Sequence, residues 1–275
     1  MVPFTWKPGE TGWLEVSGKR LEAVCHGAPP SEAPTVVLLH EGLGCVGLWK
    51  DFPQRLAAAT GFGVFAWSRA GYGNSAPADL PRAIDYMSVE ATECLPQVLD
   101  AIGFRRGVLF GHSDGASIAA IHTGSIEDFR VRGLILVAPH FFTEPEGLAS
   151  IAMAKDAYDN GSLREKLAKY HRHVDNCFRG WNDAWLNPDF SDWNIAEVID
   201  YFRVPVLAVQ GKDDQYGTLA QIHEIEKRIY SPVDVEILAQ CKHSPHIEQP
   251  ERLLEIVADF TARLERIEHA SVEIR

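Results

Sequence analysis

Short apolar runs alternate with longer amphipathic segments along most of this chain. Two alternating segments, 13–16 and 21–25, are separated by Gly18 and predict an antiparallel hairpin at the start. Further strands are predicted at residues 35–40, 63–67, 107–110, 133–138, 204–210 and 233–238. The nearly unbroken apolar run at 133–138 is typical of a central strand that is buried on both faces.

Amphipathic segments between these strands predict helices at residues 49–59, 88–102, 116–122 and 219–229, and a terminal helix beginning near Pro250. Proline suits the first turn of a helix, where its missing N–H is not needed. Strands that alternate with helices indicate right-handed β-α-β units in a parallel sheet.

The alternation stops between residues 139 and 202. This stretch is helix-like, rich in charged and aromatic residues, and shows no strand pattern. We therefore predict a core formed by residues 1–138 and 203–275, with a helical cap, residues 139–202, inserted in it.

Length and composition suit a single large α/β domain with such an insertion. The chain has 275 residues, of which 46% are hydrophobic, so it can bury a substantial core. Its formal net charge of −12 and the lack of a basic run argue against a nucleic-acid partner. A small-molecule substrate is expected, and a homodimer stays open beside a monomer.

Cysteine usage and the N-terminus favour a cytoplasmic protein. The five cysteines lack C-x-x-C spacing, and their odd number leaves one unpaired in any disulfide scheme. The first residues do not combine a basic stretch with an apolar core, so no secretory signal is predicted. No apolar run approaches the roughly 20 residues that span a bilayer, so no membrane association is expected.

The most specific motif is G-H-S-D-G at residues 111–115. An apolar strand precedes it and a helix of small residues follows, so Ser113 is predicted at a sharp strand-to-helix turn with its hydroxyl exposed. A serine hydroxyl is a poor nucleophile unless a base and an orienting acid lie nearby. Asp213 and Asp214 follow the strand at 204–210, and His243 and His246 follow the next strand, in the order serine, acid, histidine of folds that carry this turn.

With these motifs, the chain resembles the α/β-hydrolase superfamily. It also has H-E-G-L-G at 40–44, where that family has its oxyanion loop, S-R-A-G-Y-G-N-S at 68–75, and H-S-P-H-I-E-Q-P at 243–250. The resemblance implies a mostly parallel, eight-stranded twisted sheet with helices on both faces and the inserted cap.

The resemblance also implies roles for individual residues. Ser113 is the expected nucleophile, His243 the general base and then acid, and Asp214 the orienting acid. Asp213 is the alternative to Asp214, because adjacent loop residues point in different directions and only one of them can face Nδ1 of the histidine. His246 is the alternative to His243.

The backbone N–H groups of Asp114 and Gly42 are the expected oxyanion-hole donors. Glu41 departs from the family, because glycine is usual at that position. Its carboxylate either anchors the loop by hydrogen bonds, the favoured interpretation, or has a chemical role of its own. Arg69 is a further candidate for contact with substrate.

Several large rings of the predicted cap would overhang Ser113, and Phe141, Trp181 and Trp185 are its candidate substrate contacts. No dinucleotide or ATP motif occurs, and the run H-R-H-V-D at 171–175 lacks further ligands at metal-binding spacing. We therefore expect neither a cofactor nor a metal.

These features predict a cofactor-independent serine hydrolase that cleaves a small carboxylic ester, thioester or lactone through an acyl-enzyme. One alternative is hydrolysis of a carbon–carbon bond in a vinylogous diketo acid, as the similar meta-cleavage hydrolases perform, with Arg69 holding the substrate carboxylate. Another is a non-catalytic, receptor-like binding module on the same fold. Ester-type hydrolysis is the favoured prediction.

Overall fold

One sheet of eight strands organises the computed structural model, which describes residues 3–273. The strands are β1 (Thr11–Val16), β2 (Lys19–His26), β3 (Thr35–Leu39), β4 (Gly63–Trp67), β5 (Gly107–His112), β6 (Val131–Val137), β7 (Val206–Gly211) and β8 (Val233–Leu238). Their order across the sheet is β1-β2-β4-β3-β5-β6-β7-β8. The pairs β1·β2 and β2·β4 are antiparallel and all the others are parallel, which confirms the predicted mostly parallel sheet.

From β3 onwards, helices connect successive strands. They are α1 (Phe52–Thr60), α2 (Tyr86–Val89), α3 (Leu95–Ala101), α4 (Asp114–Ser125), α5 (Pro145–Asp159), α6 (Leu163–Leu167), α7 (Val174–Trp185), α8 (Ala220–Arg228), α9 (Pro245–Glu248) and α10 (Pro250–Glu273). The terminal helix α10 begins at Pro250, as predicted. None of the described helices has the length and apolar character needed to cross a bilayer.

The two faces of the sheet form separate hydrophobic cores, because side chains alternate along each strand. On one face, Val36 and Leu38 of β3 pack with residues of α1 and α10. On the other face, Val37 and Leu39 pack with residues of α3, α4 and α8. Each such fully buried aliphatic side chain contributes about 1.5–3 kcal/mol to folding. Helices therefore cover both faces, as predicted.

Residues 139–202 lie between β6 and β7 and contain α5, α6, α7 and two short 3-10 helices. No strand of the sheet falls within this described segment; its one bridge joins Phe142 to Asn194. Phe178 and Trp181 of α7 belong to the same hydrophobic cluster as the α4 face of the sheet. We call this segment the insert.

Candidate active site

Ser113 occupies the turn between β5 and α4 in a strained backbone conformation. Its φ is 54° and its ψ is −119°, values that cost a non-glycine residue of order 1–3 kcal/mol. The turn is held because the Ser113 N–H donates to the Val137 carbonyl at 2.9 Å, while the Ser113 carbonyl accepts from the N–H groups of Ala116 and Ser117.

Glycine is required on both sides of this turn for space. A Cβ on Gly111 would lie 2.3 Å from the carbonyl oxygen of Gly115. A Cβ on Gly115 would lie 2.1 Å from the carbonyl oxygen of Leu39. The turn can therefore form only because neither position carries a side chain.

Asp214 and His243 form a hydrogen-bonded pair beyond the ends of β7 and β8. Nδ1 of His243 lies 2.9 and 2.8 Å from the two carboxylate oxygens of Asp214. The carboxylate also accepts from Nε2 of Gln210 and from the N–H of Tyr216, each at 2.8 Å. Asp213, the alternative acid, is exposed.

The pairing keeps Asp214 ionised. Burial raises the pKa of Asp214, but the hydrogen bond and charge of His243, together with the Tyr216 N–H, hold the pKa below its ordinary value. An ionised acceptor at Nδ1 favours the tautomer that leaves Nε2 of His243 available as a base.

His246, the alternative to His243, lies in a different environment. Its ring packs against Trp49 at 4.8 Å and His112 at 4.9 Å between centroids, and it is 5% exposed. Burial, followed by the charge of His112, lowers the pKa of His246 to about 3. The structure thus pairs His243, not His246, with the acid.

Ser113 and His243 face a common cavity of about 170 Å³. Its lining residues are Glu41, Gly42, Leu43, Ser113, Asp114, His140, Ile151, Trp181, Trp185, Tyr216, His243 and Ser244. Within residues 3–273 the Ser113 hydroxyl makes no hydrogen bond. Seven predicted site residues therefore meet at one cavity, with Asp214 behind His243.

A larger groove, of about 790 Å³, lies at the other end of the sheet, beside the start of β6 and the end of α4. Ser113, His243 and Asp214 do not line it. Ligands of open α/β sheets bind beyond the carboxyl ends of the strands, where the smaller cavity lies. We therefore assign the candidate active site to the smaller cavity.

The two predicted oxyanion donors line this cavity. Asp114 is the first residue of α4, so its N–H has no acceptor within the helix, and the helix dipole favours negative charge there. Gly42 lies against the insert: a Cβ at this position would lie 2.1 Å from Nε1 of Trp181. Glycine at position 42 therefore lets the indole approach the loop backbone.

The Asp114 side chain is bound within the protein. The Tyr86 hydroxyl and Nε1 of Trp185 donate to its carboxylate, the latter at 3.2 Å. Burial raises the pKa of Asp114, and Arg69 and Tyr86 oppose that rise. These bonds also fix the Trp185 ring against the cavity.

Glu41 faces the cavity and lies close to the buried His112. Its carboxylate is 3.5 Å from Nδ1 of His112, and the opposite nitrogen of that ring donates to the His243 carbonyl at 2.7 Å. Burial raises the pKa of Glu41, but His112 outweighs this effect and holds the pKa well below its ordinary value. Burial lowers the pKa of His112, but Glu41 outweighs this effect, so the pKa of His112 is raised. The His112 ring therefore links Glu41 of the predicted oxyanion loop to the backbone of His243.

Two other candidate residues lie away from the cavity lining. Arg69 is 1% exposed, and its guanidinium donates to the carbonyls of His40 at 2.6 Å and Glu41 at 3.1 Å. Phe141 is fully buried in the hydrophobic core. The structure therefore places Arg69 as a support of the oxyanion loop and Phe141 as a packing residue, rather than at the cavity.

Several lining residues were missed by the sequence reasoning, among them His140, Ile151 and Tyr216. His140 follows β6, and polar residues after a parallel strand are the one signal that could have identified it. Among residues 3–273, no group of three or more His, Cys, Asp or Glu side chains could hold a metal ion.

Comparisons with known proteins place the chain in a family of hydrolases. The family model described as "Alpha/beta hydrolase family" matches residues 36–256. Epoxide hydrolase B of Mycobacterium tuberculosis is 32% identical over 108 residues, which cover 38% of this chain and 29% of that protein. The match thus spans less than a third of that relative's length.

Two further proteins match most of the chain. Serine hydrolase BPHL of Homo sapiens is 22% identical over 205 residues, covering 72% of this chain and 69% of that protein. The crystal structure of the enol-lactonase from Burkholderia xenovorans LB400 has a TM-score of 0.72 at 18% identity, covering 91% of this chain and 99% of that chain. At this identity, the structural likeness supports the fold alone.

Proposed function

The chain belongs to the alpha/beta hydrolase family, and from this premise we propose that it is a cofactor-independent serine hydrolase of a small carboxylic ester, thioester or lactone. The observation that carries the proposal is the cavity itself. Ser113, at its strained turn, and His243, which is bonded to Asp214, both line this cavity of about 170 Å³.

In the proposed reaction, the Ser113 hydroxyl attacks the substrate carbonyl carbon while Nε2 of His243 takes its proton. The N–H groups of Gly42 and Asp114 stabilise the oxyanion; losing one such donor typically costs about 10²–10³ in turnover. His243 then protonates the leaving oxygen or sulfur, and the acyl group stays on Ser113. Water, deprotonated by His243, releases the acid and restores the serine.

The cavity favours a small, uncharged substrate. Its volume is below the roughly 300–1,000 Å³ of drug-sized ligand sites. Glu41 and Asp114 are acidic, and the described residues that line the cavity include no Lys or Arg. Arg69, which the carbon–carbon alternative needs for the substrate carboxylate, is engaged with two loop carbonyls. Ester-type hydrolysis is therefore the proposed activity.

The nucleophile can be tested by covalent labelling. We expect a fluorophosphonate to label the wild-type protein, and p-nitrophenyl butyrate to be hydrolysed; Ser113→Ala should abolish both. Ser231→Ala, which removes a hydroxyl bonded to the Phe202 carbonyl, is the control and should retain both. A wild-type protein that neither reacts nor turns over would support the receptor-like alternative instead.

Substrate charge can be tested with a matched pair of esters. We expect kcat/KM for p-nitrophenyl butyrate to exceed that for the mono-p-nitrophenyl ester of succinic acid by about tenfold or more, because the second ester brings a carboxylate towards acidic side chains. The ratio should shrink at high ionic strength. A preference for the anionic ester would contradict this assignment and favour the diketo-acid alternative.

A further inference from the structure

His140 is a buried polar side chain in the cavity that the proposed mechanism does not use. It is 6% exposed and lines the same cavity as Ser113 and His243. Its ring lies edge-on to Trp185, at 5.4 Å between centroids, and 5.9 Å from the ring of His243. Within the described residues, neither ring nitrogen has a hydrogen-bond partner. Because the ring lines the cavity, a ligand bound there can supply a partner.

The backbone around His140 is held in place from both sides. The Ser117 hydroxyl donates to the His140 carbonyl at 2.6 Å, and the next N–H, that of Phe141, donates to Oε1 of Gln221 at 2.7 Å. Gly217 leaves room for the ring, because a Cβ there would lie 3.1 Å from Cε1 of His140. The imidazole is therefore presented to the cavity by a fixed support, as a binding group should be.

His140 is not a second general base. The orienting carboxylate, Asp214, is bonded to His243. Burial, followed by the charge of His243, lowers the pKa of His140 to about 3, so the ring is neutral at physiological pH. A neutral imidazole has one N–H donor and one acceptor nitrogen.

A hydroxyl group complements such a ring, since it also donates one hydrogen bond and accepts another. One hydroxyl bonds one ring nitrogen at a time, and it can do so in either tautomer, whereas a carboxylate can only accept from the N–H and an ammonium can only donate to the bare nitrogen. We propose that His140 is a substrate-binding residue that selects esters or lactones with a hydroxyl group near the scissile carbonyl. This inference rests on the proposed function and names the substrate class of the same site.

The test compares two substrates that differ only in the hydroxyl, p-nitrophenyl 3-hydroxybutyrate and p-nitrophenyl butyrate. For the wild-type protein we expect kcat/KM to favour the hydroxylated ester by at least about tenfold, because the plain ester leaves the imidazole unpaired. In His140→Phe, which keeps a ring against Trp185, the ratio should fall to about one. In His140→Asn, which keeps a donor and an acceptor, part of the preference should return.

Two results would overturn the inference: a wild-type ratio near one, or an undiminished ratio in His140→Phe. If His140→Phe does not fold, Gly217→Ala decides, because its methyl group displaces the ring without removing it and should reduce the ratio at least threefold. Fluorophosphonate labelling of Ser113 is measured in parallel. Failed labelling would reject the proposed hydrolase, whereas normal labelling without hydroxyl preference would reject only the role of His140.

Discussion

Ser113 can project into the cavity only because two neighbouring positions lack side chains. Gly115 lies in α4, where alanine would ordinarily be the better helix former by about 1 kcal/mol. Contact with the Leu39 carbonyl reverses that preference, since a backbone oxygen of a central strand cannot move aside. Replacing glycine by alanine therefore destabilises the protein where the methyl group meets backbone, as at Gly115, and stabilises a helix where there is room for it.

Gly115→Ala is expected to lower the free energy of unfolding by about 3 kcal/mol or more, because it overpacks the turn against β3. Gly180→Ala, in α7, is the matched control: the nearest atoms to its Cβ are the side-chain ends of Arg82 and Leu80, at 3.3 Å. That variant should be neutral or more stable by up to about 1 kcal/mol. Urea denaturation measures both, and equal effects would contradict this explanation.

Motif residues were predictable from the sequence, whereas side-chain directions were not. Ser113, Asp214 and His243 follow strands at set positions, so topology alone brings them to one edge of the sheet. Arg69 also follows a strand, but the direction of its guanidinium depends on the His40 and Glu41 carbonyls, on a different loop. His140 belongs to no motif, and its position after β6 is the one sequence signal for it.

Among the strands and helices, the predicted single helix at 88–102 differs most from the structure. It consists of α2, a π-helical stretch at Glu90–Cys94, and α3. Pro96 has no N–H to donate to the carbonyl four residues earlier, so the regular ladder is interrupted here. The Ala91 carbonyl in this stretch is bonded to His122 of α4, a contact that hydrophobic periodicity does not encode.

The insert is tied to the core loops by a buried histidine that precedes α7. Nδ1 of His171 accepts from the Gly73 N–H at 2.9 Å, and its Nε2–H donates to the Leu43 carbonyl at 3.0 Å. Leu43 follows Gly42, so this bond also steadies the proposed oxyanion donor. The His171 side chain is 3% exposed, so both bonds are largely shielded from water.

His171→Phe is expected to lower the free energy of unfolding by about 2–4 kcal/mol, because it leaves two buried backbone groups unpaired. It should also reduce kcat for p-nitrophenyl butyrate, since the Gly42 loop loses support. His173→Phe makes the same chemical change two residues later, where no side-chain cap bond exists, and should affect both quantities much less. An unchanged kcat in a stably folded His171→Phe would show that the bonds of His171 to the core loops do not affect the reaction.

For the whole molecule, the alternation of patterns predicted a parallel sheet, and the family resemblance implied its eight strands and the helices on both faces. Neither predicted the close contacts between insert and core, because they join residues far apart in the chain. This close packing also changes the pKa of buried histidines. The pKa values of His140 and His246 are lowered to about 3, chiefly by burial.

These histidines make stability depend on pH. Between about pH 6.5, where a histidine of the unfolded chain titrates, and pH 3, the unfolded state binds protons that the native state does not, so stability falls as the pH falls. His246→Leu removes one histidine that binds a proton only in the unfolded state. The dependence of the free energy of unfolding on pH should therefore become weaker by up to about 1.4 kcal/mol per pH unit. Chemical denaturation from pH 4 to 6 measures this dependence. His269→Ala, which removes an exposed histidine, is the matched control variant.

The close approach of Trp181 to Gly42 has a consequence for redesign. The Trp181 indole nitrogen occupies the space that a β-carbon at position 42 would need, so the two positions must be exchanged together. Grafting an insert from a relative onto this core would set a foreign side chain over an unaltered loop, and either a void or a collision would result. Attempts to broaden the substrate range should therefore randomise both segments together.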